Sequence, residues 1–283
     1  MDRKYTLLEH VLFPAPKLSR ETLTSHCLNK TLLITGASYG IGESLCYLLA
    51  DTHAHLILVA RSGDKLAQLK HMLEGRSVRV TLFPTDLSDS DQVAQLIQRL
   101  QALENGIDIF INNAGKSICR SLFATLDRFH DIERTTALNY FAPTRLSLAL
   151  IPMLKQRRGQ IISVSGANLL ITPMPYWSAY QASKSAFDQW LRCAAPELNQ
   201  CGIAVSTLYL PLVRTRMMMP NRAYQNMPAM SSQHAAKLIC RLIVSRKATF
   251  TPWWLFGGRF ASLCFGRLWQ KLVLKFMHKS AQC

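Results

Sequence analysis

Between Thr31 and Pro252 the chain alternates short apolar runs with longer stretches whose apolar residues recur three and four positions apart. TLLIT (31–35), HLILVA (55–60), VRVTLF (78–83), IDIFIN (107–112), GQIISVS (159–165) and IAVSTLYL (203–210) are rich in β-branched and aliphatic residues. Such runs are the signature of strands buried on both faces. Helical segments fill the gaps at 40–51, 62–74, 89–104, 129–155, 178–200 and 231–245, and ATFTP (248–252) reads as a last strand. Strands alternating with helices predict an α/β fold, a doubly wound parallel sheet in three layers forming a single domain. In that architecture ligands bind outside the C-terminal ends of the strands.

Two segments fall outside the alternation, which divides the chain into an extension (1–29), a central domain (30–252) and a C-terminal segment (253–283). In the extension Leu7, Leu8, Val11, Leu12 and Phe13 precede Pro14 and Pro16, which end any helix there. Packing against the domain is the expected role of these apolar residues, with membrane contact as the alternative. In the C-terminal segment Arg267, Lys271, Lys275 and Lys279 recur every fourth residue, beside an apolar side of Phe265, Leu268, Trp269, Leu272 and Phe276. A basic stripe with aromatic anchors fits a helix lying in an anionic membrane interface. A span needs about 20 apolar residues, and Gly257, Gly258 and Arg259 interrupt the one candidate. A dimer contact, or a tail packed over the substrate cleft, are the alternatives.

Charge sharpens this picture. The net charge is +16, and Glu197 is the last acidic residue; the twelve Lys and Arg beyond it leave +4 for everything before. Such asymmetry implies an anionic neighbour: a phosphate-rich ligand, an acidic protein or a membrane. No nucleic-acid-binding motif accompanies it, so nucleic acid is not expected. The eight cysteines are scattered without a CxxC pair, and MDRKYTLLEH lacks the apolar run of a secretory signal. Reduced thiols, no metal site and a cytoplasmic location, peripheral on the inner face of the membrane if the tail binds it, are expected.

The first strand leads into TGASYGIG, where Gly36, Ser38, Tyr39, Gly40, Ile41 and Gly42 form a glycine-rich turn that opens a helix. Such turns bring backbone N–H groups to a pyrophosphate at a helix N-terminus, and the fold is then Rossmann-type. At the end of the second strand stand Arg61 and Ser62, with no acid before Asp64. An arginine there suits a ribose 2′-phosphate, so NADPH is the expected cofactor. In PYWSAYQASKSAF, Tyr180 and Lys184 are four apart on a helix and share a face.

With NNAG (112–115), Asn139 in LNY and Tyr180-x-x-x-Lys184 in this order, residues 30–215 resemble the short-chain dehydrogenase/reductase family. NNAGKSICRSLFATLDRFHDIERTTALNYF, YQASKSAFDQWLRC and LYLPLVRTRMMMP are similar to the long-chain fatty acyl-CoA reductases of wax-ester-making bacteria, over about residues 30–245. The resemblance implies cofactor contacts from Asn113, Ala114 and Gly115, from Asp86 and Leu87 at the adenine, and from Pro211, Val213 and Thr215 near the nicotinamide. It implies that Tyr180 is the general acid and that Lys184 lowers the phenol pKa and holds the nicotinamide ribose. Asn139 would brace a water linking Lys184 to solvent.

The family also uses a serine at the end of the fifth strand to bind the substrate oxygen. Counting back from Tyr180 places it at Ala167, and counting forward from GQII places it at Gly166; neither has a hydroxyl. Ser165 is the favoured substitute, ahead of Ser163 and Asn168. Beyond the last core strand, Met217, Met218, Met219 and Met227 offer a flexible lining for an acyl chain, and Arg214, Arg216 and Arg222 are candidates to face phosphates of coenzyme A or of the cofactor. The implied activity is NADPH-dependent reduction of a carbonyl on a lipid-like substrate such as fatty acyl-CoA. Reduction of aldehydes, ketones or 3-oxoacyl groups is one alternative. A membrane-associated NADPH-binding protein with weak turnover is the other. Family members are commonly homo-oligomers, and the same is expected by analogy.

Overall fold

The computed structural model describes residues 4–219, 224 and 226–281. Its sheet is built from β1 (Thr31–Thr35), β2 (His55–Ala60), β3 (Arg79–Pro84), β4 (Ile109–Asn112), β5 (Gln160–Gly166), β6 (Ala204–Leu210) and a short edge strand, Thr249–Phe250. Their order is β3-β2-β1-β4-β5-β6 followed by the edge strand, and every pairing is parallel. The order reverses at β1 and β4, so a crevice opens above the C-terminal ends of those two strands.

Alternation along the strands feeds one apolar layer on each face. Leu32, Ile34, Ile162 and Val164 pack against α3 (Gly40–Leu49) and α9 (Ser232–Ser245). Leu33, Phe110 and Ile161 pack against α5 (Ser90–Gln101), α7 (Ala142–Gln156) and α8 (Ser178–Gln200). α4 (Gly63–Met72) covers β2 and β3. The doubly wound, three-layer arrangement expected from the sequence is the one observed.

The helical stretch predicted over 129–155 is two helices, α6 (Phe129–Thr136) and α7, joined by a wide π-turn at Ala137–Phe141. Pro143 explains it. Proline has no N–H to give the carbonyl four residues back, and the ladder widens so that the Ala142 N–H bonds the Ala137 carbonyl. The loosened turn carries Asn139 inward.

The N-terminal extension is more ordered than its prolines suggest. α1 (Leu7–Leu12) starts at a capping box in which Thr6 and Glu9 satisfy each other's backbone N–H groups. α2 (Arg20–Cys27) buries Leu23 and Cys27. Of the five apolar residues expected to pack, Phe13 is buried and Leu12 partly so; Leu7, Leu8 and Val11 are exposed.

The last helix, α10 (Leu255–Ala281), kinks at Phe265. It is tied to the loop after β5 through Ser262, which receives the Thr172 N–H, and through Gln270, which donates to the Pro173 carbonyl at 3.2 Å. Trp253, just before it, donates to the Val11 carbonyl. Among the described residues no helix is long and apolar enough to cross a membrane. The side chains of Phe276 and Lys279 lie outside those described, as do Arg222 and Cys283.

Candidate active site

The glycine turn is shaped by close approaches. Gly36 and Gly40 have φ of 68° and 60°, left-handed values that glycine adopts without strain. A Cβ on Gly42 would collide with the Gly36 carbonyl oxygen, and one on Gly40 would lie 3.0 Å from the Thr215 methyl. Thr215 therefore sits against the start of α3. Tyr39 occupies the N-cap position and makes no side-chain cap bond, so the first N–H groups of α3 face the turn without a side-chain acceptor from that position. Asn113 fastens the turn to β4: its amide donates to the carbonyls of Thr35 and Gly36 at 3.0 and 3.1 Å. The Thr35 hydroxyl receives the N–H groups of both Asn113 and Ala114 at 3.1 Å.

Next along the crevice, Gly115 brings three elements together. A Cβ there would stand 3.2 Å from the Lys184 Nζ and 3.4 Å from the Asn139 Oδ1. Asn139 is buried and fully engaged. Its Oδ1 accepts the Lys116 N–H at 3.0 Å, and its Nδ2 donates to the Lys116 carbonyl at 2.9 Å and to the Ser183 hydroxyl at 3.0 Å. Ser183 in turn donates to the Tyr180 carbonyl at 2.9 Å. Sequence reasoning missed Ser183 and Thr35, which touch through backbone or short polar links. Ser183 stands three residues from Tyr180 on a helix, the one spacing that could have signalled it.

Lys184 is 7% exposed and its Nζ lies 3.4 Å from the Val164 carbonyl. Burial lowers its pKa to about 8. Burial also raises the pKa of the Tyr180 phenol, so the depression expected from its ammonium neighbour is not what this environment gives. Tyr180 stays protonated near neutrality. Its hydroxyl reaches the end of β5, where a Cβ on Gly166 would lie 3.6 Å away.

At the other strand ends Arg61 is exposed after β2, with Ser62 in extended geometry at the N-cap position of α4 and making no side-chain cap bond. Asp86 turns its carboxylate onto the N–H and hydroxyl of Ser88 at 2.9 and 2.6 Å, and Leu87 is buried in the core. Pro211 is half-buried, and Val213 packs on the apolar layer.

Arg214 has partners within the chain. It pairs with the buried Glu9 of α1 and stacks on the Tyr5 ring, 5.4 Å from its centroid, while lining the cavity beside Tyr39, Gly40 and Thr215. Arg216 faces the cofactor turn, over the Tyr39 ring at 4.9 Å. Met217, Met219 and Met227 are exposed. The apolar wall beside Tyr180 is instead aromatic, with buried Trp177 stacked on Tyr224 at 5.4 Å and Met174 and Tyr176 alongside. Among the described residues no group of acidic, His and Cys side chains could hold a metal ion.

The arrangement joins a phosphate-sized glycine turn to a buried amine, a protonated phenol and an apolar wall, which together suit proton transfer beside a nucleotide. The family model described as short chain dehydrogenase matches residues 30–226. A fatty acyl-CoA reductase of Acinetobacter baylyi is 41% identical over 237 residues, covering 83% of this chain and 79% of its own. A fatty acyl-CoA reductase of Mycobacterium tuberculosis is 38% identical over 224 residues, covering 79% and 76%. Among solved structures, a short-chain dehydrogenase from Sphingobium yanoikuyae in complex with NADPH superposes with a TM-score of 0.73 at 28% identity, covering 84% of this chain and 94% of that one.

Proposed function

The chain belongs to the short-chain dehydrogenase family and is an oxidoreductase, and from that premise we propose that it reduces a long-chain fatty acyl-CoA to the fatty aldehyde with NADPH. The observation that carries the reading is the convergence of Lys184, Asn139 and Gly115 at the end of β4, with Tyr180 at the end of β5 beside them. The acyl-CoA substrate is supported by the 41% identity to the Acinetobacter protein.

The residues fit the cofactor. The turn of Gly36, Ser38, Tyr39, Gly40, Ile41 and Gly42, with no Cβ at its three glycines, leaves room and N–H groups for the pyrophosphate. Arg61 and Ser62 take the ribose 2′-phosphate, Asp86 and Leu87 the adenine, and Asn113, Ala114, Gly115, Pro211, Val213 and Thr215 the nicotinamide end. When bound, the nicotinamide supplies a hydride to the carbonyl carbon. Tyr180 gives its proton to the carbonyl oxygen, a task for which burial keeps the phenol protonated. Lys184 stands by to restore that proton, and Asn139 fixes the Lys116 backbone that walls the amine. On a thioester the product is a hemithioacetal; its C–S bond breaks, the thiol leaves with the hydroxyl proton, and the aldehyde remains.

The same reading places α10 on an anionic membrane that supplies the lipid substrate. It is supported by exposed Phe256, Phe260, Leu263, Leu268, Trp269 and Leu272 beside Arg259, Arg267 and Lys271, with exposed Leu7, Leu8 and Val11 joined to them through Trp253. Sedimentation with anionic but not zwitterionic vesicles is the expected result.

The deciding assay follows NADPH oxidation and thiol release together on a long-chain acyl-CoA. Equal rates establish thioester reduction. Turnover of aldehydes, ketones or 3-oxoacyl groups alone moves the substrate to the broader carbonyl class. NADPH binding without turnover on any of them overturns the catalytic reading.

A further inference from the structure

A carbonyl reductase of this type needs a third polar group opposite Tyr180, and position 166 is where the strand brings one within reach: a Cβ there would lie 3.6 Å from the Tyr180 hydroxyl. The residue is glycine. The space is not empty, because that same Cβ would collide with the Oδ1 of Asn168 and lie 3.4 Å from its Cγ. Asn168 belongs to the short 3-10 turn Ala167–Leu170 that begins where β5 ends. Its carboxamide thus folds back over Gly166 into the volume a side chain at 166 would occupy. We propose that Asn168 binds the substrate carbonyl oxygen opposite Tyr180, supplying from the loop the donor that the strand lacks. The inference rests on the reductase reading of the site.

Three features support this assignment. Among the described residues the Asn168 carboxamide has no hydrogen-bond partner, so both amide hydrogens are available. Oδ1 and Nδ2 exchange places by a half-turn of the amide, so either lies over Gly166. The loop is also held firmly. Gln181 accepts the Met174 N–H at 2.9 Å, the Arg120 N–H reaches the Tyr176 carbonyl at 2.8 Å, and Ser262 of α10 takes the Thr172 N–H. Ala167 beside it is buried. These bonds fix residues 172–176, and the turn that carries Asn168 runs between them and β5.

Ser165 is placed differently. It pairs in register with Tyr209, whose hydroxyl donates at 2.8 Å to Asp188, two turns beyond Tyr180 on α8. Position 166 is the one that approaches the phenol, a Cβ there lying 3.6 Å from the Tyr180 hydroxyl. Gly166 is also what the substitution demands, since any side chain there would displace Asn168.

The test compares wild type with Asn168→Ala, Ser165→Ala and the double variant Gly166→Ser/Asn168→Ala, using the full chain, NADPH and a long-chain acyl-CoA or aldehyde. Asn168→Ala is expected to lower kcat by about 10²–10³-fold with NADPH affinity, read by fluorescence quenching, unchanged. Gly166→Ser in that background is expected to recover about tenfold or more, because the hydroxyl then has the space Asn168 vacated. A loss that falls on Ser165→Ala instead, with Asn168→Ala near wild type, overturns the assignment. A second readout needs no turnover: the side-chain ¹⁵N–¹H signals of Asn168, identified by their absence in Asn168→Ala, are expected to move in Tyr180→Phe. Signals that do not move overturn the placement even if the enzyme is active. Signals that move in a protein without reductase activity keep the placement and reject the reaction.

Discussion

Glu9 of α1 pairs with Arg214 at the root of the segment that leaves the sheet after β6, and its carboxylate also accepts the Ala229 N–H at 3.1 Å on the segment's return. Tyr5 completes the clasp by accepting the Ser231 N–H at 2.8 Å. An extension outside the α/β core therefore holds both ends of the loop that flanks Tyr180, one of whose residues, Tyr224, packs beside it.

Removing the carboxylate breaks a buried ion pair, a change that costs about 3–5 kcal/mol when one partner is lost. Glu9→Gln is expected to lower the thermal midpoint clearly. The pH dependence has a definite sign. Burial opposes ionisation of Glu9, but the hydrogen bonds from Arg214, Thr6 and Ala229 and the Arg214 charge outweigh it and hold the pKa down to about 2. Because the folded value lies below the ordinary carboxyl value of 4.5, this stability is full above that value and is lost as pH falls toward 2. Thermal melts across that window should show a slope in wild type that is reduced in Glu9→Gln.

Lys184 sets a second pH dependence, this time on rate. Its buried amine titrates at about 8, while the raised Tyr180 phenol remains the acid that reduction requires. Reductive kcat/KM is therefore expected to fall as pH rises through about 8, when the ammonium loses its proton. Lys184→Arg, whose guanidinium stays charged, should remove that inflection at the cost of a lower plateau. An inflection that survives in Lys184→Arg would assign it to another group.

Much of this architecture is legible locally. The strands announce themselves because both faces are buried, and the glycine turn, Tyr180 and Lys184 are adjacent enough in sequence to be read as units. The Glu9–Arg214 pair joins residues 205 apart, and nothing in the composition of either segment marks the other as its partner. The capping box that orders α1 was readable as Thr6-x-x-Glu9, and Pro143 could have announced the break before α7. The third polar group was obscured by a single extra loop residue: counting along the chain locates a position, whereas folding back over Gly166 is a property of the turn that follows. The sign of the Tyr180 shift depended on burial, which a helical spacing does not report.

The glycine turn and the end of β2 predict separable defects in cofactor binding. A Cβ at 42 has the Gly36 carbonyl oxygen in its way, so Gly42→Ala is expected to weaken NADPH and NADH alike. Arg61→Glu should instead act on the 2′-phosphate alone. Charge-assisted hydrogen bonds are worth about 1.5–3 kcal/mol, so NADPH affinity should fall by about 10–100-fold while NADH affinity holds or improves. Fluorescence titration with both nucleotides checks this, and equal losses for the two would remove Arg61 from the phosphate site.

The aromatic wall makes a prediction about substrate rather than cofactor. Trp177 is buried three residues before Tyr180, and Tyr224 reaches it from the loop, with ring centroids 5.4 Å apart and planes 22° from parallel. Such a pair contributes about 0.5–1.5 kcal/mol beyond its area burial, so Tyr224→Ala should raise KM for long acyl chains by about 2–10-fold. Because Tyr224 is not placed among the proton-transfer groups, kcat on a short aldehyde is expected to change less than KM on the long substrate. Tyr224→Phe keeps the ring and should restore the long-chain KM. If both variants lose short-aldehyde turnover equally, the Tyr224 hydroxyl takes part in the chemistry, and the wall is part of the reacting site rather than a sleeve for the chain.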